Sequence, residues 1–201
     1  DLDLAVGTLY GTNKVYLNQG EELQTSPGWQ SDDSDNFTHS VAWADVNGDG
    51  NLDLAVGNYR EWDLGCECYI KGENKVYLNQ GTALQTTAEI WAPNDGDDTS
   101  SVAWGDVDGD GDLDLAVGNE GMGNKVYLSK GKALRSGATL VGDGYTSSVA
   151  WGDADGDGDL DLAFGFLSSS MPNAVYLNKG GGLWNRNWTP VYTDATWSVA
   201  W

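Results

Sequence analysis

Three stretches of nine residues alternate oxygen-bearing side chains with glycine, a pattern that suits a hard divalent cation. They run from Asp45 to Asp53 (DVNGDGNLD), from Asp106 to Asp114 (DVDGDGDLD) and from Asp153 to Asp161 (DADGDGDLD). Calcium takes roughly six to eight oxygen ligands, and the glycines let a short loop wrap around the ion. Without a cation, the clustered carboxylates would repel one another. The sequence therefore predicts a calcium site in each of these three acidic loops.

The chain opens on half of a fourth copy of the pattern. Asp1 stands at its seventh position and Asp3 at its ninth, and Trp201 ends the chain just before a further copy would start. We therefore expect a fragment of a longer chain, with three full calcium sites and a fourth half site.

The acidic loops differ from the helix-loop-helix calcium site, which closes on a bidentate glutamate at position 12. The twelfth residues here are Val56, Val117 and Phe164. We therefore expect the ninth residue, an aspartate in all three loops, to take the closing role.

A repeated tetrapeptide organises the whole sequence. Ser-Val-Ala-Trp occurs four times, at spacings of 61, 47 and 50 residues, and the first interval is lengthened by an insertion around residues 59–72. Self-similarity at a period of roughly 20–50 residues indicates a repeat architecture. We expect one repeat region over residues 1–201, divided at about 1–39, 40–100, 101–147 and 148–201.

Each repeat has the chemistry of short strands. After the marker and the acidic loop come Leu-Asp-Leu-Ala-Val-Gly, then Asn-Lys-Val-Tyr-Leu, and then a variable stretch. Short segments rich in Val, Leu, Tyr and Trp, separated by Gly and Asn, favour strands and turns. Four such strands fit one blade of a β-propeller, a four-stranded antiparallel sheet packed on its neighbours. The sequence predicts an all-β propeller with about four blades, with the marker tryptophans packed between them.

The incomplete repeats at the two ends permit another interpretation. The end of one chain would pair with the start of another and complete a blade between molecules, because unpaired sheet edges invite such pairing. One possible partner is therefore a second copy of the chain.

The acidic loop and the segments around it resemble the FG-GAP and VCBS repeat families. These are the calcium-binding blades of integrin alpha-subunit propellers and of related bacterial and fungal proteins, and the resemblance covers essentially the entire chain. It implies side-chain ligands at loop positions 1, 3, 5 and 9, a backbone carbonyl ligand at position 7, and water completing the shell. The implied side-chain ligands are Asp45, Asn47, Asp49, Asp53, Asp106, Asp108, Asp110, Asp114, Asp153, Asp155, Asp157 and Asp161.

The implied carbonyl ligands are those of Asn51, Asp112 and Asp159, and in the half site Asp3 is the closing ligand with Asp1 at position 7. Asn47 lowers the charge of the first loop, so we expect that loop to bind calcium more weakly than the others.

Charge limits the classes of partner. The chain has 31 acidic and 10 basic residues and a net charge of −21, which three calcium ions would bring to about −15. Such a surface argues against nucleic acids and anionic membranes, and the sequence has no apolar run of the roughly 18 residues that a membrane span needs. Weak calcium loops fill reliably where free calcium is about millimolar, so we expect an extracellular protein.

The two cysteines, Cys66 and Cys68, lie in the insertion. A local disulfide or two free thiols explain the pair better than a metal site, which would need more soft ligands nearby.

Catalytic residues are hard to assemble from this sequence. His39 is the only histidine, and it occupies what we interpret as a variable loop position before the first marker. Two carboxylate clusters precede a marker at similar distances, which favours a solvated acidic rim over a paired-carboxylate hydrolase. These clusters are Asp32, Asp33 and Asp35, and Asp95, Asp97 and Asp98.

Aromatic residues outside the repeat pattern favour binding as the function, because aromatic rings on loops stack on sugars or anchor proteins. Three of these residues, Trp29, Trp91 and Trp188, have an alternative role in packing between blades. The other candidates for binding are Trp62, Trp184, Trp197, Tyr59, Tyr69, Tyr145 and Tyr192.

Two tripeptides, at Asn36 and Asn187, match the N-glycosylation acceptor pattern and would matter in a secretory organism. The predicted function is a calcium-stabilised extracellular module for recognition or scaffolding, without catalysis, whose protein or glycan ligand is unknown. The alternatives are a sugar-binding lectin and a self-assembling filament or surface protein, with the propeller part of a secreted enzyme less favoured.

Overall fold

The computed structural model shows small antiparallel sheets, with no helix among the residues that it describes. This confirms the predicted all-β class. In the same part of the chain, no helix could cross a membrane. The described residues are 2–20, 22–32, 37–70, 72–86, 89–90, 97–130, 134–140, 144–180 and 184–201. Six residues of interest lie outside these ranges: Asp1, Asp33, Asp35, Asn36, Trp91 and Asp95.

Four sheets follow one another along the chain, and we call them blades 1 to 4. Blade 1 has three strands, β1 (Leu4–Val6), β2 (Lys14–Tyr16) and β3 (Trp29–Gln30). Blade 2 comprises β4 (Thr38–Ala44), β5 (Asp53–Asn58), β8 (Lys75–Tyr77) and β9 (Glu89–Ile90), and a separate hairpin of β6 (Glu61–Asp63) and β7 (Cys68–Ile70) is inserted after β5. Blade 3 comprises β10 (Thr99–Gly105), β11 (Asp114–Asn119), β12 (Asn124–Ser129) and β13 (Leu134–Leu140). Blade 4 comprises β14 (Thr146–Gly152), β15 (Asp161–Phe166), β16 (Ala174–Asn178) and β17 (Trp184–Trp188).

The first strand of blades 2, 3 and 4 carries a β-bulge at its second residue. The pairing register shifts there, so that His39, Ser100 or Ser147 is the extra residue. A bulge increases the local twist and re-aims a side chain. His39 therefore lies within β4, and the prediction of a loop position was wrong because the strand begins two residues before the marker.

A glycine near the end of each second strand lets the next blade approach closely. A Cβ built on Gly118 would lie 2.6 Å from Cγ2 of Thr146 and 2.8 Å from Cγ1 of Val149, both in blade 4. Real Cβ atoms do not come this close, so the glycine sets the spacing between the two blades. The equivalent contact is found at Gly7, Gly57 and Gly165.

The marker tryptophans join each blade to the preceding one. The indole N–H of Trp104 donates to the carbonyl oxygen of Ala42 at 3.3 Å, and that of Trp151 donates to the carbonyl oxygen of Ala103 at 3.0 Å. These indoles are half-buried, and the backbone of the neighbouring first strand supplies an acceptor for the N–H of each. The predicted packing of marker tryptophans between blades is confirmed for these residues.

The apolar core consists of three clusters, one between each pair of consecutive blades. In the first cluster, Trp29 of blade 1 lies edge-on to Tyr77 of blade 2 at 5.0 Å between ring centroids. This confirms Trp29 as a packing residue. Trp188 is half exposed in a groove of about 480 Å³ on blade 4, which Trp201 also lines, so its packing against a further blade stays a prediction.

Residues 196–201 continue the interblade pattern beyond blade 4. The backbone N–H of Val199 donates to Oγ of Ser148 at 3.2 Å, as Val149 does to Ser101 at 3.1 Å one blade earlier. The indole of Trp201 likewise donates to the carbonyl of Ala150. A closed propeller ring, the division into four repeats within one domain, and blade completion between copies all stay predictions.

Candidate metal sites and the opposite end of the blades

Each acidic loop connects the first strand of a blade to its second strand. The last residue of the first strand pairs with the ninth residue of the loop, as Ala44 does with Asp53 and Gly105 with Asp114. Because the three hairpins are equivalent, the loops lie at the same end of blades 2, 3 and 4, which we call the metal-loop end.

The first aspartate of each loop folds the backbone around itself. In the second loop, Asp106 accepts hydrogen bonds from the backbone N–H of Gly109 at 2.9 Å and of Gly111 at 3.0 Å. Both glycines have positive φ, +73° and +92°, a conformation that glycine adopts without steric cost. In the third loop, Asp153 accepts equivalent bonds from Gly156 and Gly158.

The ninth aspartate is fully buried and ties the loop to the third strand of its blade. Asp114 accepts hydrogen bonds from the backbone N–H of Val107 at 2.9 Å and of Ser129 at 2.7 Å, one on each carboxylate oxygen. Each oxygen has a further lone pair with which it could hold an ion. The equivalent donors are Val46 and Asn79 to Asp53, Ala154 and Asn178 to Asp161, and Asn18 to Asp3 in the half site.

Carboxylate oxygens converge in the second and third loops. One oxygen each of Asp106, Asp108 and Asp114 lie within 4.8 Å of one another. Two ligands on opposite sides of a calcium ion are about 5 Å apart, so these oxygens fit a common ion. The third loop brings together oxygens of Asp153, Asp155 and Asp157, at positions 1, 3 and 5, whereas the second loop uses positions 1, 3 and 9.

The remaining predicted ligands belong to the same loops. In the first loop, the backbone N–H of Asp49 donates to Asp45 at 3.0 Å and to Asn47 at 2.9 Å, so the first, third and fifth positions contact one another. The seventh residues turn their N–H groups toward the fifth carboxylate: Asn51 to Asp49, Asp112 to Asp110 and Asp159 to Asp157, at 2.9, 3.0 and 3.0 Å.

The electrostatics of these loops favour a cation. Burial raises the pKa of the Asp114 carboxyl above its usual value, hydrogen bonds from the backbone lower it, and the charges of Asp108 and Asp106 raise it. The pKa of Asp53 is raised by the same combination. A bound divalent ion would lower these pKa values again, because an opposite charge nearby stabilises the carboxylate form.

The first and second loops are anchored to the following blade by their second residue. Val46 and Val107 are 2% and 8% exposed and lie in the apolar clusters that join blade 2 to blade 3 and blade 3 to blade 4. The side-chain N–H of Asn178 also donates to the carbonyl of Val107 at 2.8 Å, from blade 4 to the second loop. Ordering an acidic loop therefore also orders a contact between blades.

A family model described as FG-GAP-like repeat matches residues 1–56, 67–117 and 106–164, well over half of the chain. The chain belongs to the FG-GAP-like repeat family. The matched segments contain all three acidic loops and confirm the resemblance found in the sequence. No curated protein matches the chain significantly.

At the end opposite the metal loops, the FG-GAP-like blades carry a row of rings. Tyr10 lies edge-on to Phe37 at 4.9 Å between centroids, Phe37 stacks on His39 at 6.0 Å, and His39 stacks on Tyr59 at 4.9 Å. We call these four residues the aromatic row. Tyr10 is 75% exposed. The sequence patterns do not indicate Tyr10 or Phe37, which lie far apart in the chain.

The inserted hairpin, whose first strand begins two residues after Tyr59, carries a second group of rings. The guanidinium of Arg60 lies over the ring of Tyr69 at 4.4 Å, and Tyr69 meets Trp62 edge-on at 4.8 Å. Cys66 and Cys68 form a disulfide at the tip of the hairpin, which confirms the first of the two interpretations of this pair. Trp62 and Tyr69 remain 47% and 57% exposed.

The prediction of a solvated acidic rim was wrong for two carboxylates, which lie buried beneath this surface. Asp97 and Asp98 are 6% and 4% exposed, because a cation covers each of them. Lys125 lies 2.6 Å from Asp97, and Arg60 lies 2.8 Å from Asp98. Asp32 is exposed and accepts a hydrogen bond from the Thr86 hydroxyl at 2.7 Å.

Acidic groups also flank the aromatic row. Partial burial lowers the pKa of His39, while the charges of Glu120 and Asp98 act in the opposite direction. Burial and a hydrogen bond to Glu120 raise the pKa of the Tyr59 hydroxyl.

The aromatic row departs from the repeat pattern at equivalent positions. Where blade 2 has His39 in the bulge, blades 3 and 4 have Ser100 and Ser147, whose hydroxyls bond to backbone carbonyls of neighbouring strands. Where blade 2 has Tyr59, blades 3 and 4 have Glu120 and Leu167. The fold therefore does not require aromatic rings at these positions. Tyr59 is already among the binding candidates that the sequence offers, and comparing the repeats with one another is the signal that could have added His39.

Proposed function

We propose that this protein is a calcium-stabilised extracellular module for recognition or scaffolding, without catalysis. The observation that carries the proposal is the division between the two ends of the blades. The acidic loops at one end repeat closely, whereas the aromatic row at the other end, which lies on blades 1 and 2, and the inserted hairpin of blade 2 are not repeated in the described parts of blades 3 and 4. In a protein built on a regular scaffold, exposed residues that break the pattern are the candidates for binding.

Calcium is the ion that best fits the acidic loops. Every donor in them is an oxygen, which a hard cation prefers, and the glycine-rich backbone can adapt to a large coordination shell. We assign side-chain ligands to positions 1, 3, 5 and 9, and a carbonyl ligand to position 7, of each loop. The ion would neutralise the clustered charge and hold each loop against its own third strand, and the first two loops also against the next blade. The ranking of the first loop as the weakest, because of Asn47, remains a proposal.

An extracellular location follows from the same chemistry. Exposed acidic loops of this kind fill where free calcium is about millimolar. The disulfide between Cys66 and Cys68 agrees with an oxidising compartment. Asn187 lies on β17 with its side chain exposed, so it is accessible for glycosylation, while glycosylation of Asn36 and Asn187 stays a prediction.

The contacts of His39 favour binding over catalysis. Its ring is sandwiched between Phe37 and Tyr59. A general base is normally held by a hydrogen bond to an orienting group and faces a nucleophile. A ring held by stacking is better suited to form part of a contact surface.

Saccharide binding is a second candidate function, favoured by the exposure of Tyr10, Trp62 and Tyr69 around the aromatic row. Flat rings of this kind stack on the apolar faces of sugars, while polar groups nearby bond to hydroxyls. Arg60, Glu120 and the Tyr59 hydroxyl supply such polar groups. A protein ligand would use the same rings as anchors.

A glycan array probed in about 1 mM calcium tests the recognition surface, with tryptophan fluorescence titration of each hit. We expect Trp62→Ala and Tyr10→Ala to weaken binding of a hit by about tenfold each, since a buried aromatic anchor contributes roughly 1–2 kcal/mol or more. Tyr192→Ala is the matched control, because Tyr192 is 79% exposed but lies outside the aromatic row.

Hits that bind Tyr10→Ala and Trp62→Ala as tightly as the natural sequence would remove the aromatic row as the binding surface. An array with no hits would exclude the saccharide candidate and leave the protein-ligand form of the proposal.

A further inference from the structure

A positively charged side chain contacts the third acidic loop. Nζ of Lys179 lies 2.7 Å from Oδ2 of Asp155 and 3.8 Å from Oδ2 of Asp157. These carboxylates occupy the third and fifth positions of the loop, and both belong to the group whose oxygens converge. The ammonium therefore contacts two groups that would ligate a divalent ion.

The turn that carries Lys179 recurs in other blades. The side-chain oxygen of Asn178 accepts a hydrogen bond from the backbone N–H of Gly180 at 2.9 Å. The same turn is made by Asn18 and Gly20 in blade 1 at 3.1 Å and by Asn79 and Gly81 in blade 2 at 3.0 Å. The outer two residues thus set the turn, and its middle residue is Gln19, Gln80 or Lys179.

In blade 2 this turn lies beside the acidic loop of its own blade. A Cβ built on Gly81 would be 3.6 Å from Nδ2 of Asn51, the seventh residue of the first loop. The middle residue of the turn is therefore placed to reach the loop, and in blade 4 that residue is a lysine. Glutamine at this position is compatible with the turn, as blades 1 and 2 show.

We propose that Lys179 is a tethered counter-cation that lowers the calcium affinity of the third loop. This inference rests on the proposed calcium binding. Without calcium, the ammonium relieves repulsion among Asp153, Asp155 and Asp157. A divalent ion entering the loop must either displace the ammonium or bind beside a positive charge a few ångströms away. Either event makes the free energy of calcium binding less favourable. The third loop therefore fills at a higher calcium concentration than it would with glutamine at this turn.

The test is calorimetric titration of calcium into the full chain after removal of bound metal, at low ionic strength. An Asp153→Asn variant identifies the binding event that belongs to the third loop. We expect Lys179→Gln to tighten that event by about three- to tenfold, and Lys179→Arg, which keeps the charge, to leave it within about twofold. The gain should shrink as salt is added, because the loop is exposed and its charges are screened.

Lys14→Gln is the matched control, since it removes one lysine charge from β2 and leaves the third loop unchanged. Equal tightening by Lys14→Gln would overturn the inference, because net charge alone would then explain the effect. Unchanged or weaker calcium binding by Lys179→Gln, with normal binding by the natural sequence, would overturn this inference alone. A natural sequence that binds no calcium would overturn the proposed function as well.

Discussion

Gly118 shows how a missing side chain sets the distance between two blades. It stands at the end of the second strand of blade 3, where Thr146 and Val149 of blade 4 occupy the space that a Cβ would need. Its backbone is not in the left-handed region, so the interblade contact is what requires glycine here. The same residue type appears at the equivalent position of every described blade.

Gly118→Ala should therefore destabilise the protein by pushing blades 3 and 4 apart. We expect the free energy of unfolding, measured by urea denaturation, to fall by about 1–3 kcal/mol, the usual cost of overpacking. Gly165→Ala is the graded control, because its Cβ would lie 3.0 Å from the Thr196 methyl group, whereas that of Gly118 would lie 2.6 Å from the Thr146 methyl group. It should cost less. An alanine at Gly118 that leaves stability unchanged would contradict this account of the interface.

The residue in the β-bulge of the first strand has a structural role in one blade and a different role in another. In blade 3, the Ser100 hydroxyl lies 3.0 Å from the Gly118 carbonyl and also contacts the Thr146 carbonyl of blade 4. In blade 2 the same bulge presents His39 to the aromatic row instead. The bulge itself is common to blades 2, 3 and 4, whereas the side chain at the bulge differs between them.

Substitutions in the two bulges should accordingly have opposite effects on stability. Ser100→Ala should lower the free energy of unfolding by about 1 kcal/mol through loss of its hydrogen bond. His39→Ser installs the residue of the other repeats and should leave stability unchanged or raise it by up to about 1 kcal/mol. Chemical denaturation of both variants measures the difference. If His39→Ser were the more destabilising of the two, His39 would be a structural residue.

At the level of elements, the repeat pattern predicted the blades well and the contacts between distant segments poorly. Alternating apolar residues and turn residues located the four-stranded sheets, and the marker tryptophans identified the interblade packing. The burial of Asp98 depends on Arg60, which reaches it from another blade. The approach of Lys179 to the third loop depends on the shape of a turn. Neither contact follows from a local pattern, because each joins segments that only the fold brings together.

On the scale of the whole molecule, consecutive blades are joined both by apolar clusters and by the acidic loops. Val46 and Val107 belong to the loops and also to the interblade clusters. The net charge of −21 opposes compaction, and the acidic loops concentrate that charge at one end of the blades. An ion bound in each loop would relieve the repulsion and tighten the adjacent interface, so metal binding and blade stacking should be coupled.

Thermal unfolding followed by circular dichroism, in calcium and in excess chelator, tests this coupling most directly. At free calcium tenfold above the dissociation constant, each site adds about 1.4 kcal/mol of stability, which raises Tm by roughly 3–6 °C per site for a chain of this length. We expect a rise of at least this size in calcium, and a smaller rise for Asp106→Asn, which removes the first ligand of the second loop. The same Tm in calcium and in chelator would show that the blades do not depend on bound calcium.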